Sequence, residues 1–165
     1  MIKLIVLDVD GTLTDGKIYY TNSGDEIKAF NIKDGLMISS WNRLGRKSAI
    51  ITGRTSDIVE KRGRELGIHY IIQGERNKSK ALKELCEREN ILLDEVAVIG
   101  DDMNDLPMLK LVKKSFAPFD ANPFIYDFVE YPLTKNGGEG AVAEMIEILL
   151  KEDNLFNKFL DLWQD

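Results

Sequence analysis

The sequence predicts an α/β fold in which helices cover both faces of a parallel sheet, in three layers. Three observations point to it. Four short apolar runs recur along the chain: KLIVLDVD at 3–10, KSAIITG at 47–53, HYIIQG at 69–74 and EVAVIGDD at 95–102. Segments with the apolar spacing of helices separate them, and regular alternation of the two element types builds βαβ units and a parallel sheet. The runs are continuously apolar, as strands buried on both faces are, rather than alternating.

Taken in order, the first run ends in VLDVDGTLT, and KIYYTNSGDEIKAF at 17–30 follows it as two strand-like arms around Asn22-Ser23-Gly24-Asp25. That pattern is a hairpin inserted after the first strand, too small to be an independent lid. Leu36, Met37, Trp41 and Leu44 give 35–44 a helical stripe, and Ser56 is a plausible N-cap for a helix over 56–66. Ala81, Leu82, Leu85 and Cys86 mark a helix at 77–90, and Val142, Met145, Ile146, Leu149 and Leu150 mark one at 140–151. A tail over 153–165 carries Leu155, Phe156, Phe159, Leu160 and Trp163. No repeat, low-complexity tract or linker interrupts the order, so 1–165 reads as a single domain.

Composition narrows the function. At 165 residues with 44% hydrophobic and 30% charged content, the chain can bury a full core. Its net charge of −6 argues against a nucleic-acid or anionic-membrane surface and for a small-molecule partner. No apolar run reaches the length of a membrane span and no signal peptide is recognisable, which points to the cytoplasm. The lone Cys86 excludes an internal disulfide and reads as a buried small hydrophobe; His69, the lone histidine, reads as structural.

The informative residues are those that end each run, because ligands of open parallel sheets bind outside the carboxyl ends of the strands. They are Asp8 and Asp10, then Thr52, then Asp101 and Asp102, with Lys78 just past the third run. Asp8 and Asp10 lie two apart on a strand and so project together. An Asp-Gly turn or a helix cap accounts for one carboxylate there, but not for two that repel each other. Lys78 and Lys80 are two apart on a helix and diverge by roughly 200°, so at most one of them faces a common site.

VLDVDGTLT, SAIITGR, QGERNK and VIGDDMND, in that order and spacing, resemble the four motifs of the haloacid dehalogenase superfamily of phosphohydrolases. The small hairpin, KAFNIKDG at 28–35 and NGGEGAVAEM at 136–145 resemble more narrowly the family that hydrolyses 3-deoxy-D-manno-octulosonate 8-phosphate in lipopolysaccharide precursor synthesis. The resemblance implies a Rossmann-like sheet without a cap domain, and a magnesium ion held by Asp8, Asp101 and the main-chain carbonyl of Asp10. It makes Asp8 the nucleophile and Asp10 the acid and base, places Thr52, Gly53 and Lys78 on the phosphoryl group, and favours Lys78 over Lys80. It also implies substrate contacts from a loop of Asn31, Lys33, Asp34 and Gly35, from Ser39, and from Arg54 and Arg62, which lie eight apart and are expected to share a helix face. Asp102 and Asp105 stay open between orienting the metal's waters and capping a helix.

The chemistry stands apart from the name. A carboxylate attacks a phosphate dianion only when positive charge screens both, and oxygen-only ligands favour a hard ion such as magnesium. Two carboxylates and a phosphate carry about −4, against about +3 from magnesium and one lysine, with backbone amides supplying the rest. Two alternatives are carried: a phosphatase of another acidic sugar phosphate, such as a nonulosonate 9-phosphate, and a receiver-like signalling module that accepts phosphate on an aspartate. The receiver pattern places its acceptor after a middle strand, whereas the paired carboxylates here follow the first. A dinucleotide binder is disfavoured, since no G-x-G-x-x-G follows the first strand. Ile18, Tyr19, Tyr20, Ile27 and Phe30 make the hairpin too apolar for a solvated one, and isolated hairpins are marginal in water. Pairing between subunits is therefore expected. The resemblance implies a homotetramer, with a tail able to reach a neighbouring site through Phe156, Phe159 and Trp163.

Overall fold

The computed structural model describes residues 1–164. Six parallel strands form one sheet: β1 (Leu4–Leu7), β4 (Lys47–Ile51), β5 (Tyr70–Ile72), β6 (Val96–Ile99), β7 (Lys114–Ala117) and β8 (Tyr131–Pro132), in the spatial order β5-β4-β1-β6-β7-β8. The four apolar runs supply the four strands around β1. β7 and β8 were not anticipated. KSFA and Tyr131-Pro132 are too short to carry a periodic signal, and pairing onto the edge beside β6 makes them strands.

Successive residues of β1 face opposite layers. Ile5 and Leu7 join a cluster with Ile38 and Trp41 of α1 (Ile32–Arg43), Val59 of α2 (Asp57–Glu65) and Met145, Ile146 and Leu149 of α5 (Ala141–Glu152). Leu4 and Val6 join Leu82 and Leu85 of α3 (Lys78–Glu89) and Met108 of the short α4 (Leu106–Leu109) on the other face. Each such buried large apolar side chain contributes on the order of 1.5–3 kcal/mol. Cys86 is buried in this second layer, and the His69 ring nitrogen Nδ1 accepts the Ser48 amide, a structural role.

Two local expectations are corrected. α1 starts at Ile32 rather than Gly35, because the Asn31 side chain caps it by accepting the amides of Lys33 and Asp34. Lys33, Asp34 and Gly35 are thus the first turn of a helix and not a loop. α2 starts at Asp57, so its periodicity does not extend to Arg54, and the inference that Arg54 and Arg62 share a helix face fails. In the tail, α6 (Phe156–Asp161) packs Phe156 and Phe159 against the protein's own core, while Trp163 stays 50% exposed under the Arg43 guanidinium. Of the three proposed tail anchors, only Trp163 is left free to reach outward.

The chain runs from β1 outward to β4 and β5, then returns to β6 on the other side of β1 and continues to β7 and β8. The order therefore reverses between β1 and β6, and the crevice at their carboxyl ends is where such sheets bind ligands. The hairpin of β2 (Tyr19–Tyr20) and β3 (Glu26–Ile27) stands beside this sheet as a separate antiparallel pair.

Candidate active site

Asp8 follows β1 and Asp101 follows β6, so the two carboxylates flank that crevice. Asp8, Asp101 and Asp105 each offer an oxygen within 4.8 Å of the others. Gly11 makes the approach feasible: it adopts φ +90°, and a Cβ there would collide with the Asp101 carboxylate. The loop before α5 braces the same turn, with the Gly138 amide donating to the Thr12 carbonyl.

Lys78, the first residue of α3, is 2% exposed and donates to Asp8 Oδ1 at 2.7 Å and to Asp105 Oδ1 at 2.5 Å. Lys80 points elsewhere, to the exposed Glu84. The two acidic residues left open by sequence also separate. Asp102 is exposed and caps the turn Met103–Asp105 through the Met103 amide, with a second bond from Asn122. Asp105 is fully buried; its Oδ2 accepts the amides of Asp101 and Asp102 while its Oδ1 holds Lys78, so both oxygens are engaged.

Two buried carboxylates, Asp8 and Asp105, share the one Lys78 ammonium, and the half-buried Asp101 beside them leaves a negative excess. Burial, with the charges of Asp105 on Asp8 and of Asp8 on Asp101, holds both Asp8 and Asp101 well above the usual carboxylate range. Burial opposes the charge on Lys78, but Asp8 and Asp105 outweigh it and keep the ammonium above its ordinary value. Among the described residues, Asp101 Oδ1 is buried without a hydrogen-bond partner. An unpartnered buried oxygen beside a second carboxylate is what a hard divalent cation satisfies, so the donor set fits magnesium. Both oxygens of Asp105 are already engaged, so of the three carboxylates Asp8 and Asp101 are the ones that could hold such an ion.

Thr52 follows β4 directly and is 2% exposed, with Gly53 and then Arg54 after it. β1 ends at Leu7, so Asp10 lies in the turn beyond the strand rather than on it beside Asp8, and its Oδ1 accepts from Lys28 at 2.5 Å. Sequence reasoning missed Lys28, although it opens the stretch KAFNIKDG at 28–35. Arg54 leans on the hairpin, with Nη2 3.2 Å from Tyr20 Oη and 3.5 Å from Glu26 Oε1.

The remaining candidates form a second group. Arg62 spreads over Phe30 and occupies the space where a Gly35 Cβ would stand. Asp34 is 1% exposed and accepts the Ala143 amide of α5 at 2.9 Å, and burial raises its pKa. Ser39 Oγ reaches the Leu66 carbonyl at 3.5 Å, and Lys33 is exposed. A small cavity opens between Phe30, Asn31, Asp34, Gly35 and Arg62; none of the carboxylates Asp8, Asp101 and Asp105 lines it. Within one chain, Asn31, Asp34, Gly35 and Ser39 therefore serve caps and packing, and this group does not converge on Asp8.

The haloacid dehalogenase-like hydrolase family matches residues 64–146. The 3-deoxy-D-manno-octulosonate 8-phosphate phosphatase KdsC of Escherichia coli strain K12 is 43% identical over 149 residues, 90% of this chain and 79% of its own. The phosphatase of the same name from Moraxella catarrhalis, solved with magnesium, phosphate and KDO, superposes with a TM-score of 0.95 at 41% identity, covering 99% of this chain and 94% of the other. A cobalt-bound phosphatase from Haemophilus influenzae superposes with a TM-score of 0.89 at 35% identity, over 93% and 90% of the two chains. With an Asp8–Lys78–Asp101 cluster at the crevice of a parallel sheet and relatives this similar over most of its length, the chain belongs to the haloacid dehalogenase-like hydrolases, in the family of the octulosonate 8-phosphate phosphatases.

Proposed function

We propose that this protein is a magnesium-dependent phosphatase that hydrolyses 3-deoxy-D-manno-octulosonate 8-phosphate to the free sugar acid and inorganic phosphate. The observation that carries the chemistry is Asp8, buried beside Asp101 and bonded to Lys78 at the switch point of the sheet. The substrate assignment comes from the relatives. A receiver-like role has no support here, because the acceptor carboxylate follows the first strand and a second one, Asp10, stands ready for turnover.

Asp8 attacks phosphorus as the bond to the sugar oxygen breaks, forming an aspartyl-phosphate on its side chain. Asp10 gives a proton to the departing alkoxide and then takes one from the water that attacks the aspartyl-phosphate. Lys78 holds Asp8 in line and offsets phosphoryl charge, Asp105 holds Lys78, and the Thr52 hydroxyl and the approach over Gly53 take up phosphoryl oxygens. A bound magnesium ion, held by Asp8, Asp101 and the Asp10 carbonyl, supplies the charge that offsets repulsion between carboxylate and phosphate.

The sugar's carboxylate needs its own cation, and we assign that role to Arg54. Half exposed beside the hairpin, its charge also feels Asp10. A planar guanidinium pairs bidentately with a carboxylate, and losing such a charged hydrogen bond costs about 1.5–3 kcal/mol. Arg54→Ala is therefore expected to raise KM for octulosonate 8-phosphate roughly 10- to 100-fold and to change KM for an aryl phosphate far less. Steady-state kinetics on a panel of sugar phosphates that includes a nonulosonate 9-phosphate checks both the substrate and the residue. Parallel loss on every ester would assign Arg54 to the phosphate, and preference for the nonulosonate would move the assignment to that sugar. Arg62→Ala shows the same selective KM rise if Arg62 reaches substrate, and a lowered Tm alone if it only fills the space above Gly35.

The whole chain acts as a single phosphatase domain, and we place it in the cytoplasm; among the described residues no helix is long and apolar enough to cross a membrane. Assembly through the hairpin completes the reading. Tyr19, Tyr20 and Ile27 are 51%, 65% and 49% exposed on strands of two residues each, too short a ribbon to hold itself in water. Copies pairing across this surface, in a tetramer, would cover them. Sedimentation at micromolar concentration is expected to show a homo-oligomer, with Tyr20→Lys shifting it toward monomer; a monomeric wild-type protein would refute the assembly.

A further inference from the structure

Lys28 follows β3, and its side chain is 0% exposed. A lysine ammonium leaves water only where carboxylates replace its hydration. Lys28 Nζ has two: Asp10 Oδ1 at 2.5 Å and Glu26 Oε1 at 3.3 Å. The same Glu26 oxygen lies 3.5 Å from Arg54 Nη2. A chain of alternating charge thus runs from the half-exposed Arg54 through Glu26 and Lys28 to Asp10. An apolar residue at position 28 would serve to pin the hairpin to the domain. A hydrogen-bond donor, which an apolar residue does not supply, is what holds one oxygen of the Asp10 carboxylate and so fixes its rotation.

We propose that Lys28 is a positioning residue for proton transfer: it grips Asp10 by Oδ1 and turns Oδ2 toward the oxygen of the departing alcohol, while Glu26 holds Lys28 in place. The proposal rests on the reading of Asp10 as the acid. The inserted hairpin then has a task in each active site besides joining subunits. An acid misplaced by about 1 Å forfeits on the order of 10² in rate, and the loss is confined to leaving groups that need a proton.

The test compares kcat on octulosonate 8-phosphate with kcat on p-nitrophenyl phosphate, whose leaving group departs unprotonated, in Lys28→Met, Lys28→Arg, Asp10→Asn and the double variant Asp10→Asn/Lys28→Met. Lys28→Met keeps the buried stem and removes the ammonium. It is expected to lose roughly 10- to 100-fold on the sugar phosphate and at least tenfold less than that on the aryl phosphate, with Lys28→Arg recovering part of the loss. In the Asp10→Asn background Lys28→Met should cost nothing further, since no acid remains to be positioned. Equal losses on both substrates in Lys28→Met, or losses that multiply in the double variant, overturn the proposal and make Lys28 a pin of the hairpin. Equal losses in Asp10→Asn itself overturn the acid role, and the positioning role with it. Should Lys28→Met fail to fold, Glu26→Gln loosens Lys28 from the outer side. The same leaving-group-dependent loss, smaller, is expected there, and its absence overturns the proposal.

Discussion

Asp8→Asn abolishes phosphate release, by a factor on the order of 10⁴ or more, and leaves the fold intact. An amide fills the same space as the carboxylate, and its oxygen still accepts the Lys78 ammonium that Asp8 Oδ1 accepts at 2.7 Å. What it lacks is the negative charge that makes a carboxylate oxygen nucleophilic toward phosphorus. Stability should not fall, because the substitution removes one of three carboxylates crowded together, and the ionised form of Asp8 is already disfavoured by burial and by Asp105. The expected result is a Tm at or above that of the wild type together with no turnover of either sugar or aryl phosphate, and no phosphorylated protein after acid quenching. Wild-type-like activity in this variant would sink the covalent mechanism. An intact phosphoprotein signal would move the nucleophile to another residue.

Chelation with EDTA stops turnover on all substrates, and magnesium restores it. The loss is expected to be complete rather than partial, because among the described residues Lys78 is the one cation bonded to Asp8, and Asp105 shares it. A phosphate dianion brought to Asp8 without further positive charge meets net repulsion in a site where water does not screen it. The same ion should stabilise the fold, since it binds the native cluster and not the unfolded chain. At a hundredfold excess over its dissociation constant the gain is about 2.7 kcal/mol, or roughly 5 to 10 °C in Tm for a domain of this size. Thermal melts with and without magnesium read this independently of activity. In Asp101→Asn the shift should shrink or vanish, because the oxygen without a partner in the metal-free cluster is Asp101 Oδ1. Full activity in metal-free buffer, or an undiminished shift in Asp101→Asn, would remove Asp101 from the metal site.

The central strands and their ends were legible because their cause is local. A strand buried on both faces must be apolar throughout, so β1, β4, β5 and β6 announce themselves, and a polar residue closing such a run stands out against it. Asp8, Thr52 and Asp101 are visible for that reason. Lys78 was narrowed by helical geometry, since two lysines two apart cannot face one site. β7 and β8 were not legible: four residues and two residues carry no period, and they become strands because β7 pairs onto the edge of β6 and β8 onto the edge of β7.

Tertiary structure decided what depends on residues far apart in the chain. Asp102 and Asp105 look alike in VIGDDMND, and only the fold buries Asp105 against Lys78, 27 positions away, while leaving Asp102 at the surface. The first turn of α1 looked like a substrate loop, yet Asp34 is drawn to the Ala143 amide, 109 positions on, by the packing of α1 on α5. Lys28 and Asp10 meet across 18 positions because the hairpin folds back over the end of β1. Periodicity and turn chemistry act over a few residues and are written along the chain. Which charge meets which is set by how the layers pack, and no short stretch of sequence contains that geometry.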